Sequence, residues 1–389
     1  MQRDFCLDSL REPARIRNSI GYASILPVAV DVAKWRAALQ AVSDNQPALR
    51  TVLLAGTHPW MEPLYQGVKR QHAVDLSFED LSGDAEFRQI WSDSVQRKSW
   101  IDANTLRAWD ISQGVLVKYR LIKVADSEFL AICSAHHAMF DGISKLAHLR
   151  QVLASYSDEV PQAYEISAYR DHIYQRRSVT DTPKVLKHWR DHLSNVESIG
   201  VRLPAPGQLA RQQWQIDGDS WLGLTRWCQE KQISSANYLR TLYALAVQSS
   251  HYEAGDIALI DALSGRNQTQ NTDVGCYFQF TPVVLPALNQ CADWSLESLL
   301  QKMREDRKAL GDTMHVSMFA RHDLLSRDAL EFQFNYRLPD IAKPMQWQGS
   351  EVVLLPIQPT VSGVVKLIVT QHEAGTLLEL SYWDKEFSG

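Results

Sequence analysis

The chain has no apolar run approaching the ~18–20 residues that a membrane-spanning helix needs, so no membrane partner is expected. Its opening stretch, MQRDFCLDSLREPAR, carries charge where a signal peptide requires an apolar centre. The five cysteines (Cys6, Cys133, Cys228, Cys276 and Cys291) are scattered, odd in number and without CxxC spacing. Neither a zinc site nor a disulfide framework is expected, and a reducing cytoplasm fits best. There is no long Lys/Arg run and the net charge is -5, which gives no reason to expect nucleic acid as a partner. A Gly-rich dinucleotide loop and a Walker sequence are absent too.

What is present suits a protein with a sizeable core. At 389 residues, with 45% hydrophobic and 22% charged residues, the chain is long enough for about two domains. Asp31–Val42 reads as a capped amphipathic helix and Leu49–Leu54 as a strand. Leu116–Val124 alternates apolar and polar residues, and with 128–135 it makes a hairpin across Ala125-Asp-Ser. Residues 182–195 look helical, and the polar stretch around Pro204-Ala-Pro-Gly207 places a boundary near 165–205. Beyond it, helices are expected at about 219–231, 235–250 and 295–309. Strands are expected at 257–263, 278–285, 331–336, 350–355, 363–370 and 376–382. Helix and strand thus interleave in both halves.

One stretch carries chemistry. Ser134–Ser144 reads SAHHAMFDGIS, between an apolar strand (Phe129–Cys133) and an amphipathic helix with Ser144 as its expected N-cap. A histidine titrates near neutral pH and can take a proton from an amine or hydroxyl attacking a carbonyl. An aspartate close behind can hold the loop if an arginine pairs with it. The glycine lets the chain turn where a side chain would clash and leaves room, and an N–H, at the carbonyl. On residue types alone, a His-His pair at a strand end can equally satisfy buried hydrogen bonds and do no chemistry. A shared metal ion fits poorly, because adjacent side chains on a strand point to opposite faces.

The spacing HHxxxDG resembles the active-site signature of the condensation domains of nonribosomal peptide synthetases, within the chloramphenicol-acetyltransferase-like acyltransferase superfamily. Further stretches follow in the family's order. Asn45–Thr51 (NQPALRT) resembles RHxxLRT, with Gln46 for the histidine, and Ala108–Leu116 (AWDISQGVL) is similar to PFDLxxxPL. Ile166–Asp171 followed by Lys187–Leu193 looks like the family's crossover between lobes. Ser264–Asn267 (SGRN) and Val274–Pro282 (VGCYFQFTP) resemble GRx…VGxFxNxxP. Glu331–Tyr336 (EFQFNY) and Leu378–Phe387 (LELSYWDKEF) are similar to FQVxFNY and LxLxYxxxxF. There are departures: Tyr277 and Gln279 stand for Phe and Asn, and Val364–Leu367 stands where many members have FDL. The N-terminal SxxQ-type motif is not found, and the sequence stops where the resemblance leads one to expect a last helix.

The resemblance implies an α/β fold of two chloramphenicol-acetyltransferase-like lobes in a V-shaped pseudo-dimer, with the active site in a tunnel between them. Residues 1–170 would form the first lobe, carrying HHAMFDG, and 171–389 the second. His137 would be the catalytic histidine, His136 its support, and Asp141 a structural residue paired with Arg266. Gly142 would line the reacting carbonyl, and Tyr277, Gln279, Asn335 and Tyr336 would lie along the tunnel. No bound cofactor or metal is implied. Substrates would arrive on the phosphopantetheine arms of donor and acceptor acyl or peptidyl carrier proteins, beside neighbouring synthetase domains, and the chain would act as a monomer.

The implied reaction is amide formation between a carrier-bound acyl or aminoacyl thioester and an acceptor amine. Ester formation, or acylation of a free small molecule, remains open within the same class. Asn18–Tyr22 (NSIGY) is similar to members that load a fatty acyl starter. A different class also remains: a non-catalytic, condensation-like docking module. Cys6–Leu10 contains LDSL, which resembles a phosphopantetheine attachment site, but too little chain precedes it for a carrier bundle. Ser9 is therefore expected to be a turn or cap residue.

Overall fold

The structure is a computed structural model. It describes residues 2–14, 16, 18–54, 65–159, 170–172, 182–196, 209–249, 255–266, 271–311, 332–337, 343–357, 365–372 and 375–383. The chain divides into two compact units. The first comprises Met1–His172, Ser264–Phe278 and Ile341–Thr360, and the second Ile173–Leu263, Gln279–Asp340 and Val361–Gly389. The expected lobes, 1–170 and 171–389, are contiguous in sequence; these units are not, because two later stretches return to the first unit. Arg266 comes back to pair with Asp141, and Leu354–Leu355 comes back to pair with a strand.

In the first unit the helices are α1 (Gln2–Arg11), α2 (Val32–Asn45), α3 (Ala85–Ser92), α4 (Ser94–Thr105) and α5 (Gly142–Tyr156). The strands up to residue 136 are β1 (Ser19–Leu26), β2 (Thr51–Leu54), β3 (Tyr65–Val68), β4 (Leu76–Asp80), β5 (Val117–Ala125) and β6 (Glu128–His136). Strand Leu354–Leu355, then β1, β6, β5 and β4 make a five-stranded sheet, while β2 and β3 pair separately. The apolar alternation of β5 sends Leu121 to one face and Ile122 to the other. Leu121 joins Trp35, Leu39, Phe140 and Leu149 beneath α2 and α5. Ile122 joins Phe87, Trp91, Ile101 and Leu130 beneath α3 and α4. Helices therefore cover both faces, and β6, buried at nearly every position, runs through the middle.

Two details tune this sheet. At Gly21 a Cβ would come within 2.3 Å of the Cys133 carbonyl oxygen, so β1 lies against β6 there only because the residue is glycine. His148 on α5 is fully buried, its Nδ1 2.8 Å from the Tyr22 hydroxyl and its Nε2 3.1 Å from that of Tyr119. Burial pushes its pKa down to about 3 and raises both phenols.

The second unit holds a six-stranded sheet in the order Leu209–Asp217, Gly375–Trp383, Val365–His372, Phe332–Arg337, Ile257–Leu263, Gln279–Leu285. Phe332–Arg337 runs parallel to both neighbours and the remaining pairs are antiparallel. One face packs on helices Gly218–Glu230, Ser235–Ser249 and Leu296–Leu310 through Trp221, Tyr243, Leu259, Phe334 and Met303. Beneath it, the buried Asp261 carboxylate accepts from Arg240 and Arg307, each at 2.6 Å. Helix Pro183–His192 buries Trp189 against Ala258 and Leu310. The edge strand Leu209–Asp217 escapes a pattern-based reading because its sequence, LARQQWQID, is largely polar. All five cysteines are buried and none is in a disulfide. No helix among the described residues is long and apolar enough to cross a membrane.

Candidate active site

The HHAMFDG stretch lies where β6 ends at His136 and α5 begins at Gly142. Two side chains able to cap α5 stand three residues apart, and the one in extended backbone conformation is Asp141 (φ -120°, ψ -177°). Its Oδ1 accepts from the Ser144 N–H and from the Ser144 hydroxyl, both at 2.8 Å. Asp141, and not Ser144 as expected, is the N-cap. Ser144 sits inside the first turn, and its Oγ also accepts the Gly275 N–H at 3.0 Å.

The two histidines have different surroundings because β6 ends at His136 and His137 opens the turn that follows. His136 is fully buried, and its Nδ1 accepts the Ala138 N–H at 3.2 Å. The proton therefore resides on Nε2, which donates to Ser9 Oγ at 2.9 Å. Asn18 donates to the same Ser9 oxygen at 2.9 Å and to Asp8 Oδ2 at 2.7 Å, tying α1 to the strand end. Burial, and secondarily the charge of His137, push the His136 pKa down to about 3. His136 is a neutral brace with both nitrogens engaged, so the pair does not offer two ligands to one metal ion.

His137 is half-buried, and its backbone N–H donates to the Asn18 carbonyl at 2.8 Å. Its ring stacks on Phe5 at 4.6 Å and 15°, and meets Phe278 at 4.8 Å and 37°. Two aromatic rings and a backbone bond thus set the orientation of the one histidine that reaches the surface of the loop.

Asp141 and Arg266 meet as expected. Arg266 Nη2 donates to Oδ1 at 2.8 Å and Nε to Oδ2 at 3.3 Å, and the Tyr277 N–H adds 3.0 Å to Oδ2. The guanidinium also donates to the Asp273 carbonyl at 2.8 Å and lies 4.2 Å over the Tyr277 ring. Tyr277 is fully buried and its hydroxyl donates to Asp273 Oδ2 at 3.2 Å. Its ring serves this buried ion pair within the first unit. Gln46, which replaces the family histidine, is buried too; it donates to Gln151 at 2.9 Å and accepts the Val274 N–H at 3.1 Å. Arg50 of the same motif is buried and donates to the carbonyls of Ser43, Asp44 and Lys69.

Gly142 has no positive φ, and a Cβ placed there would meet nothing within 4 Å. The turn does not demand glycine, contrary to the expectation of a steric clash; what remains is open space beside the helix start. Gln279, Asn335 and Tyr336 lie in the second unit. Asn335 and Tyr336 necessarily point to opposite faces of their sheet, and Tyr336 packs on the helix-covered side with its hydroxyl 3.3 Å from Gln371. Most of Ile166–Asp171, together with Asn267, Glu331, Val364 and Asp384–Phe387, lies outside the described residues.

Sequence reading missed Ser9, Phe5, Asn18 and Phe278. Ser9 is neither turn nor cap: it is a buried residue of α1, three positions after the buried Cys6, and that helical spacing is the one local signal. Among known proteins, a family model described as Condensation domain matches residues 21–313, which include the whole HHAMFDG stretch and Arg266. A linear gramicidin synthase polypeptide of Brevibacillus parabrevis is 25% identical over 325 residues, 78% of this chain and 6% of that protein. The chain thus spans a small part of that relative. The first condensation domain of the calcium-dependent antibiotic synthetase, solved in complex with a substrate analogue, is similar with a TM-score of 0.74. That likeness has 14% identity and covers 99% of this chain and 90% of the other. The X-domain from teicoplanin biosynthesis, solved in complex with OxyB, is similar with a TM-score of 0.76 at 15% identity, over 98% and 87%. These structures share the fold, the family match spans the motif residues His136, His137, Asp141, Gly142 and Arg266, and the chain belongs to the condensation-domain family of nonribosomal peptide synthetases.

Proposed function

We propose that the chain is an amide-forming condensation enzyme, joining an acceptor amine to an acyl or aminoacyl group held as a thioester on a carrier protein. The observation that supports this most is the division of labour in the histidine pair. His136 is held neutral with both nitrogens engaged, while His137 is half-buried and oriented by Asn18, Phe5 and Phe278. His137 accepts the amine proton as nitrogen attacks the thioester carbonyl, a C–N bond forms, and the C–S bond breaks. The proton ends on the departing sulfur, leaving a thiol on the carrier arm. The open space at Gly142 takes the carbonyl, and the positive end of α5 faces the developing oxyanion. A thioester is already activated, so most of the remaining acceleration comes from holding the two substrates together.

Under this reading the partners are donor and acceptor carrier proteins and neighbouring synthetase domains, and phosphopantetheine enters as part of the substrates. The test mixes the purified chain with a panel of acyl-loaded carrier proteins and amine or alcohol acceptors, with products read by mass spectrometry. Amide formed by the wild type and absent from His137→Ala supports the proposal. Ester formation alone would move the assignment to an alcohol acyltransferase. Carrier binding without any product would favour a docking module.

A further inference from the structure

The second unit's sheet has one face on the helices and, on the other, an unbalanced set of charges. Residues opposite one another in register share a face, so Lys366, Ser381 and Arg211 form one row across three strands. Glu379 stands one step along on that face, in the row of Asn335, and Arg337 one step further. Three cations therefore surround one carboxylate. Arg211 Nη1 is 3.8 Å from Glu379, beyond hydrogen-bond reach, and the other Glu379 oxygen is taken by Gln213 at 2.8 Å. Arg211 Nε and Nη2 are buried and have no hydrogen-bond partner among the described residues.

Uncompensated buried charge is costly, and proteins relieve it by shifting the charge state or by binding a counter-charge. The first of these is visible here. Burial, with Arg337 and Arg211, drives the Lys366 ammonium down to about 8 against the pull of Glu379. Burial also lowers the Arg337 pKa. Arg211 and Glu379 keep 22% and 16% of their side-chain surface exposed, so the edge of this charged group meets solvent. Planar guanidinium groups match carboxylate and phosphate oxygens in a bidentate way.

We propose that this face of the second unit's sheet binds an oxyanion, the carboxylate or phosphate group of a ligand, through Arg211, Lys366 and Arg337. The site neither includes His137 nor depends on its role.

The test uses the full chain at constant ionic strength held with sodium chloride. Inorganic phosphate and succinate are titrated separately by calorimetry, and acetylation of Lys366 by acetic anhydride is followed by peptide mass spectrometry. Saturable binding of one anion per chain is expected, with Lys366 labelling slowed about fivefold or more while the exposed Lys98 is unaffected, since a paired amine is less often deprotonated. Arg211→Gln or Arg337→Gln should weaken binding roughly tenfold or more. Preference for phosphate identifies a phosphate-bearing ligand, and preference for succinate a carboxylate-bearing one. The proposal is overturned if neither anion saturates, if both variants bind as the wild type does, or if Lys366 labelling is unchanged. Should the variants misfold, the wild-type labelling decides alone. His137→Ala is expected to bind the anion normally, so failure here and failure of the condensation reading are separable.

Discussion

Arg266 closes on Asp141 across 125 residues of sequence, and neither side chain is more than 2% exposed. Such a pair gains little net stability over an apolar replacement, yet removing one member strands a buried charge. Arg266→Ala is therefore expected to destabilise the protein by about 3–5 kcal/mol in urea titrations. The double variant Asp141→Leu/Arg266→Met should lose less than the sum of the two single changes. Additive losses would show that the two charges do not support each other.

His137→Ala should abolish turnover by about a hundredfold or more while leaving the thermal transition and the circular dichroism spectrum unchanged. Turnover at the wild-type rate would remove His137 from the chemistry.

Under the proposed reaction, Ser9 acts through His136, whose Nε2 it meets at 2.9 Å. Ser9→Ala leaves the buried His136 Nε2–H without its acceptor, at a cost of about 1–3 kcal/mol in stability. The expected kinetic signature is a fall in kcat with KM nearly constant, partly restored by Ser9→Thr. Equal changes in both parameters would point to a general loosening of the fold instead.

Acid should weaken the fold through two histidines. His136 and His148 are held near a pKa of about 3 when folded, against an ordinary value of 6.5. Between those limits the unfolded chain binds more protons, so their contribution is complete above pH ~6.5 and falls as pH drops, by about 1.4 kcal/mol per pH unit for each. Denaturant midpoints measured from pH 7 to 4 should show this slope, and His148→Gln should reduce it by one proton's worth. A slope unchanged in that variant would mean that His148 is protonated in the folded state.

Gly142→Ala meets no neighbour within 4 Å and replaces glycine in a helix, so stability should hold or rise by roughly 0.5–1 kcal/mol. Activity should nevertheless fall, because the new methyl group occupies the space assigned to the reacting carbonyl. Full activity would show that the substrate does not approach there.

What the sequence disclosed follows from range. Apolar periodicity placed the hairpin of β5 and β6, α2, and the helices and inner strands of the second unit, because those patterns repeat every two or 3.6 residues. The polar edge strand Leu209–Asp217 carries no such repeat. At the site, HHxxxDG and SGRN made His137, Asp141 and Arg266 legible as a spacing. The Ser9–His136 bond joins residues 127 apart and leaves no local trace. Whether Asp141 or Ser144 caps α5 turned on backbone conformation, which both residue types permit.

The return of residues 264–278 and 341–360 to the first unit has a consequence for biosynthesis. At ~5–20 residues per second, the 125 residues between Asp141 and Arg266 take roughly 6–25 s to follow on the ribosome. Through that interval the motif loop holds a carboxylate with no cation to bury it. The outer edge of β1 stays open longer still, until Leu354–Leu355 arrives to pair with it. A nascent chain ending near residue 170 is thus an unfinished sheet with a sticky edge, and its motif loop gains its buried cation only after the first stretch of the second unit, Ile173–Leu263, has been made.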